Sequence, residues 1–273
     1  MRDQSMSFFK KTLASLGIGS AKVDAVLQQE TIVPGDTVSV VIHVYGGATE
    51  QHIDHIDIKL CCSYISEQEQ RQPHTEGPIK RKVSQNYVLD KWDLPYSFTI
   101  HPAEERTFEI ELTAPLNTPL TIGDSKVWLE TSLDIDLAID PTDKDLLTVR
   151  PDPVLDAIFS ELEELGLRIR QAECEEAKGF ELPFVQEFEF VPTTGLFHGT
   201  WREIEIIAYR DQQQLQLWFE IDRGKRGVSG LLSSLLGSSE LNCYLSLSSD
   251  LTHQQCAEKV TQYLIDLFET KRG

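Results

Sequence analysis

The 273 residues are long enough for one large domain or two ordinary ones, and with 40% hydrophobic and 25% charged residues the composition is globular rather than disordered or collagen-like. Acidic residues number 44 and basic residues 25, a formal net charge of −19, and the excess is shared by both halves on either side of Pro151. A chain without a basic footprint is a poor ligand for nucleic-acid phosphates and for a broad anionic membrane surface.

Near the start, Phe9, Leu13 and Leu16 fall at i, i+4 and i+7 beside Phe8, with Lys10 and Lys11 off the stripe and Gly17 as a stop. This pattern predicts a short amphipathic helix. Strand signals follow. Val38, Val40, Ile42 and Val44 alternate after the turn Pro34-Gly35-Asp36, and a Gly46-Gly47 break precedes Ile56, Ile58 and Leu60. Tyr96, Phe98 and Ile100 alternate, as do Phe108, Ile110 and Leu112, and then Leu133, Ile135, Leu137 and Ile139. A period of two gives one buried face and one wet face, and many short strands with turns between them predict an antiparallel sandwich.

The texture changes near residue 150. Leu146 to Val149 reads as a linking strand, and Pro151-Asp152-Pro153 marks a boundary in which Asp152 caps a helix with proline in its first turn. Leu155, Ile158, Phe159, Leu162 and Leu165 form the stripe of that helix, and Gly166 closes it. Strands resume at 184–191, 204–209, 215–221 and 241–247. Between the last two, Leu231, Leu232, Leu235 and Leu236 sit among glycines as a short apolar helix candidate. The chain closes on a helix announced by the capping-box pair Thr252 and Gln255, with Cys256, Val260, Tyr263, Leu264 and Leu267 on one face. The economical reading is all-β: two consecutive antiparallel β-sandwich domains, 6–150 and 151–273, with short accessory helices at the N-terminus, the domain junction and the C-terminus.

The stretch from Met6 through Phe8-Phe9-Lys10-Lys11 and Gly17-Ile18-Gly19 to Asp24 resembles the amino-terminal signature of the bacterial sporulation-control protein family. Pro34-Gly35-Asp36, Leu133 to Asp145, Leu182 to Phe190 and Leu217 to Gly224 fit the same family. The resemblance spans nearly the whole chain and implies an arrestin-like protein of two β-sandwich domains. It further implies a non-enzymatic, cytoplasmic regulator or adaptor without cofactor, linked to developmental or cell-division control through protein partners. Arrestin-like connectivity also brings the end of the first domain beside the second, where Asp140 would pair with Arg150 or Arg168.

Chemistry-bearing clusters are few. His52, Asp54, His55 and Asp57 have metal-ligand character, but on a regular strand they divide two and two between opposite faces, below the three or four ligands a zinc site takes. Asp134, Asp136, Asp140, Asp143 and Asp145 lack the turn glycine and distal glutamate of an EF-hand, so a solvated strand face running into an acidic turn is expected. Five scattered cysteines suit reduced thiols, and adjacent Cys61 and Cys62 would place one side chain in the core and one on the surface. Ser229 lacks a nucleophile-elbow context, no phosphate-binding glycine loop is present, no apolar run nears the ~20 residues of a spanning helix, and lysines interrupt the apolar stretch a signal peptide would need.

The expected interaction surfaces are therefore apolar. Phe8, Phe9, Leu13 and Leu16 would either cover their own sheet or dock on a protein or membrane surface. Leu231, Leu232, Leu235 and Leu236 would close one sandwich end or pack in a homodimer. Open sandwich edges offer unpaired backbone as a third surface. The competing functions are a peripheral membrane scaffold and a ligand or metal sensor using an interdomain cleft.

Overall fold

The structure, a computed structural model, describes residues 19–29, 31–70, 79–135, 140–222 and 243–270. Phe8, Phe9, Leu13, Leu16, Leu231, Leu232, Leu235 and Leu236 lie outside these residues, as do Asp136, Leu137 and Ile139. The described residues form an all-β protein with two helices, divided into two compact units. The first holds the described residues up to Cys62 together with Tyr87–Thr118 and Lys126–Val149; the second holds Ser63–Asn86, Pro119–Ser125 and everything from Arg150 onward.

Eight strands precede the break at Arg150: β1 (Lys22–Leu27), β2 (Thr37–Tyr45), β3 (Gln51–Gln70), β4 (Ile79–Leu94), β5 (Phe98–Ile100), β6 (Glu105–Thr113), β7 (Val127–Ile135) and β8 (Thr142–Leu147). In the first unit β1-β2-β6 is one antiparallel sheet. The other is built on β3, which pairs with β4, β5 and β7, and β7 carries β8 at its edge. Alternation directs the packing. Val38 and Val40 of β2 and Leu112 of β6 face the same interior as Leu60, Leu129 and Leu147 from the opposite sheet, and all but Leu147 are buried. Such interior filling is the sandwich predicted from period-two patterning.

The second unit carries α1 (Pro153–Glu164), β9 (Leu167–Glu176), β10 (Phe184–Pro192), β11 (Glu203–Arg210), β12 (Gln214–Asp222), β13 (Cys243–Ser248) and α2 (His253–Thr270). Its strands lie in sequence order, all antiparallel. Asp152 caps α1 by accepting from the backbone N–H of Val154 (2.8 Å) and Leu155 (3.2 Å), with Pro153 in the first turn. Gly166 turns the chain out of the helix at φ +85°, where a Cβ would stand 2.3 Å from the Thr194 carbonyl oxygen; only glycine fits. Thr252 and Gln255 form the capping box of α2, Gln255 N–H donating to Thr252 Oγ1 at 3.2 Å and Thr252 N–H to Gln255 Oε1 at 3.0 Å. Cys256, Ala257, Val260, Leu264 and Phe268 are the buried face of that helix, which therefore rotates past Leu267 to use Phe268.

The helices pack on each other and over the sheet face that carries Phe188, Ile206 and Phe219. Phe159 of α1 meets Phe188 edge-on at 5.1 Å, and Tyr263 of α2 meets Phe219 at 5.4 Å. Aromatic pairs at these distances supply both buried area and geometry. The layer over this face is thus helical among the described residues.

Two segments that precede Arg150 belong with the second unit for visible reasons. Gln186 on β10 accepts from Leu120 N–H (2.8 Å) and donates to the Leu120 carbonyl (2.7 Å), a buried side chain standing in for a strand partner of Pro119–Ser125. The distal ends of β3 and β4 join β9: Ile65 bridges to Glu175 in parallel, Tyr64 stacks on Phe184 at 5.2 Å, and Lys82 of β4 reaches Glu175 at 2.8 Å.

Candidate functional site: the groove between β1 and β8

Within the first unit, β1 and β8 are the outer strands of facing sheets, and neither has a strand partner on its other side among the described residues. At one end Ala25 N–H, on the outer edge of β1, donates to Asp143 Oδ2 at 3.1 Å. At the other, Ile32 N–H donates to the Thr148 carbonyl at 2.9 Å, and Ile32 and Val149 form an isolated parallel bridge. Between these ties lies a cavity of about 260 Å³ lined by Asp24–Leu27, Gln29, Ile32 and Asp145–Thr148.

The groove is polar at one end and apolar at the other. Asp24, Asp143 and Asp145 bring one carboxylate oxygen each to within 4.8 Å of the others. The register places Asp143 opposite Thr131 and Asp145 opposite Leu129, on the inward face of β7 and β8, so these two aspartates belong to a strand and not to the acidic turn expected from the sequence. The alternation of β8 puts Asp143, Asp145 and Leu147 on its inward face and leaves Leu146 outside at 71% exposure. Burial, a hydrogen bond to Asp143 and the charges of Asp143 and Asp24 push the Asp145 carboxyl up to about 6. Its Oδ2 is buried without a hydrogen-bond partner. Three convergent carboxylates attract a cation of any kind; hard oxygen donors suit a metal ion, and the same set suits a lysine or arginine head. The apolar end is floored by Leu27, Ile32 and Leu147, and Val26, exposed at 41%, stands with Leu146 on the rim.

His52, Asp54, His55 and Asp57 do not divide between two faces. A β-bulge between Ile53 and His55 shifts the register, so Ile53 and Ile56 are both fully buried and all four polar residues stay partly exposed. His55 then lies 3.4 Å from both Asp57 and Asp134, and His52 3.5 Å from Asp54. Among the described residues the three-carboxylate cluster, not this one, has metal-ligand convergence. Cys61 and Cys62 are both buried, at 4% and 0% exposure, which corrects the expectation of one surface thiol: in this strand the outward face is covered too. All five cysteines are buried and outside any disulfide. Burial raises the Cys61 and Cys256 thiols and pushes Cys174 up to about 12, so these three are protonated and unreactive at neutral pH.

Asp140 accepts from Ile135 N–H at 3.1 Å. Arg168 donates to the carbonyls of Glu163 (2.6 Å) and Leu167 (3.0 Å), satisfying the end of α1. A further acidic feature was not anticipated. On the sheet face of the second unit away from the helices, Glu187 stands near Glu173, Glu175, Glu205 and Glu220; burial first, then these like charges, push its carboxyl up to about 8. The alternating Glu residues at 187, 189, 203 and 205 are the sequence signal that could have pointed to it.

The chain matches the family model described as SpoOM protein over residues 9–225. It is 37% identical over 266 residues to the sporulation-control protein Spo0M of Bacillus subtilis strain 168, covering 96% of this chain and 99% of that one. The chain belongs to the Spo0M family. Its fold superposes on the crystal structure of Spo0M, sporulation control protein, from Bacillus subtilis with a TM-score of 0.78 and 33% identity, covering 93% of this chain and 99% of the other. The all-β architecture expected from periodicity, and the arrestin-like fold that the family resemblance implied, are therefore the architecture of this Spo0M-family chain.

Proposed function

We propose that this Spo0M-family chain is a non-enzymatic regulatory adaptor of the sporulation-control type, acting in the cytoplasm through contacts with other proteins. The observation that carries the reading is the β1–β8 groove: two strand edges without strand partners among the described residues, with exposed Val26 and Leu146 on its rim. Strand edges with apolar rims are surfaces that proteins either protect or use for strand addition. Likeness along nearly the full length to a protein named for sporulation control supports the regulatory part. The burial of all five thiols supports a chain whose cysteines serve packing and not chemistry.

Photo-crosslinking in cells tests this. Benzoylphenylalanine is placed singly at Val26 and Leu146, and at the exposed Val88 and Tyr244 as comparison sites. Covalent adducts with other proteins are expected at Val26 and Leu146. Protein adducts at none of the four positions would overturn the reading.

A further inference from the structure

We infer that the β1–β8 groove receives an extended segment of a partner protein that carries an apolar residue next to a lysine or arginine. The inference rests on the adaptor reading above and names the chemistry of the partner at that site.

Three observations converge on this occupant. The first is the backbone. Leu133 N–H donates to the Pro141 carbonyl, so in the antiparallel register the odd-numbered residues of β8 bond to β7 and Leu146 directs its N–H and C=O outward. An extended chain adds to that edge without displacing any bond of the sheet. The second is the floor. Leu27, Ile32 and Leu147 present apolar surface beneath the edge, and 260 Å³ is room for side chains of a strand but small for a whole drug-sized ligand. The third is charge. Asp24, Asp143 and Asp145 gather at one end, where burial first, and then its acidic neighbours, hold the Asp145 carboxyl above the ordinary carboxylate range. A basic side chain seated there gives the cluster the counter-charge it lacks and releases the Asp145 proton. An acidic or neutral segment gains nothing at this end.

The groups that face Asp145 are Asp143 on its own strand and Asp24 on β1, while β7 presents the uncharged Leu129 and Thr131. Binding of a basic segment therefore weakens on acidification through the region of pH 6, as Asp145 regains its proton in the free protein.

The test uses the full chain and a fluorescein-labelled nonapeptide alternating lysine and valine, read by anisotropy. Two counterparts accompany it, one with glutamate for lysine and one of equal charge with proline for valine. Saturable binding of the lysine–valine peptide alone is expected, several-fold weaker at pH 5 than at pH 7.5. Hydrogen exchange should slow at 23–27 and 144–148. The double variant Asp24→Asn/Asp145→Asn should weaken binding at least tenfold, whereas Asp54→Asn, an exposed carboxylate elsewhere on the same unit, should not. Leu146→Pro removes the outward N–H and should abolish binding; if that variant does not fold, the aspartate variants still decide. Equal binding of the proline counterpart, or full affinity in Asp24→Asn/Asp145→Asn, overturns the inference. So does protection of both strands by millimolar calcium alone, or protection that grows with protein concentration without peptide, which would assign the groove to an ion or to a second copy. If crosslinks in cells persist at Val88 or Tyr244 while the peptide fails, the adaptor reading survives and only this inference falls.

Discussion

The two units hold carboxylates under opposite conditions. In the second unit, Asp152 is buried yet fully partnered: it accepts from two backbone N–H groups at the start of α1, and Arg210 reaches its two oxygens at 3.0 and 3.1 Å. In the first unit, Asp145 has acids for neighbours, and its carboxyl rises to about 6. Glu187 shows that the contrast is set by surroundings and not by the unit itself, since it sits on the sheet of the second unit and rises further, to about 8. For both acids, desolvation is the largest cause and like charge comes after it. Glu187 is the more deeply buried, so depth in the protein outweighs how closely the neighbouring charges crowd.

Removing a carboxylate paired with a cation and removing one surrounded by other acids should therefore have opposite signs. The largest effect is expected for Asp152→Ala, which strips the cap from α1 and leaves Arg210 beside it without its carboxylate. Loss of a cap costs about 1 kcal/mol, and breaking a buried ion pair adds a comparable or larger amount. Destabilisation of about 3 kcal/mol in urea denaturation is the predicted result; a loss below 1 kcal/mol would show that the pairing is not what holds this carboxylate.

The same contrast explains how much was legible in the sequence. Caps and stops are local, and Asp152, Gly166 and the Thr252–Gln255 pair act within a few residues, so each was readable at its own position. Strands with one strongly apolar face were readable too. β4 and β9 were not, because their alternation is between exposed charge and half-buried or small residues such as Gln85, Ala172 and Cys174. The bulge at Ile53/His55 is invisible to period counting, since the extra residue is fixed by which isoleucines the core accepts. The candidate groove was legible only as the general expectation of open edges. Asp24 stands more than a hundred residues from Asp143 and Asp145 along the chain, and no spacing rule brings them together.

Glu187→Gln sharpens the comparison through pH. A carboxyl raised from its ordinary value to about 8 binds a proton in the folded state that the unfolded chain has released. The folded state therefore holds more protons between about pH 4.5 and 8, and stability falls as pH rises through that window. Glutamine cannot ionise, so the variant should match the native chain near pH 5 and exceed it by about 2 kcal/mol at pH 9, after allowance for residual solvent screening. Thermal melts across pH 5–9 read this directly. A constant difference at every pH would mean that the neighbouring glutamates, not Glu187, carry the proton.

Asp145→Asn is the smaller member of the pair and the one tied to the groove. Its raised carboxyl also favours the protonated folded state, so its contribution is fully present below about pH 4 and is lost as pH climbs through about 6. The group is only partly buried, and solvent screening reduces the full shift to a stabilisation of about 1 kcal/mol for the asparagine variant at pH 7.5, disappearing near pH 4. Addition of the lysine–valine peptide should narrow that gap or reverse its sign, because bound lysine stabilises ionised Asp145 and gains less from asparagine. Glu187→Gln, remote from the groove in sequence and in a different unit, should keep its own pH profile with or without peptide. If instead both variants respond alike, the proton on Asp145 has no link to the groove, and the acidic end of the cavity is a consequence of strand packing alone.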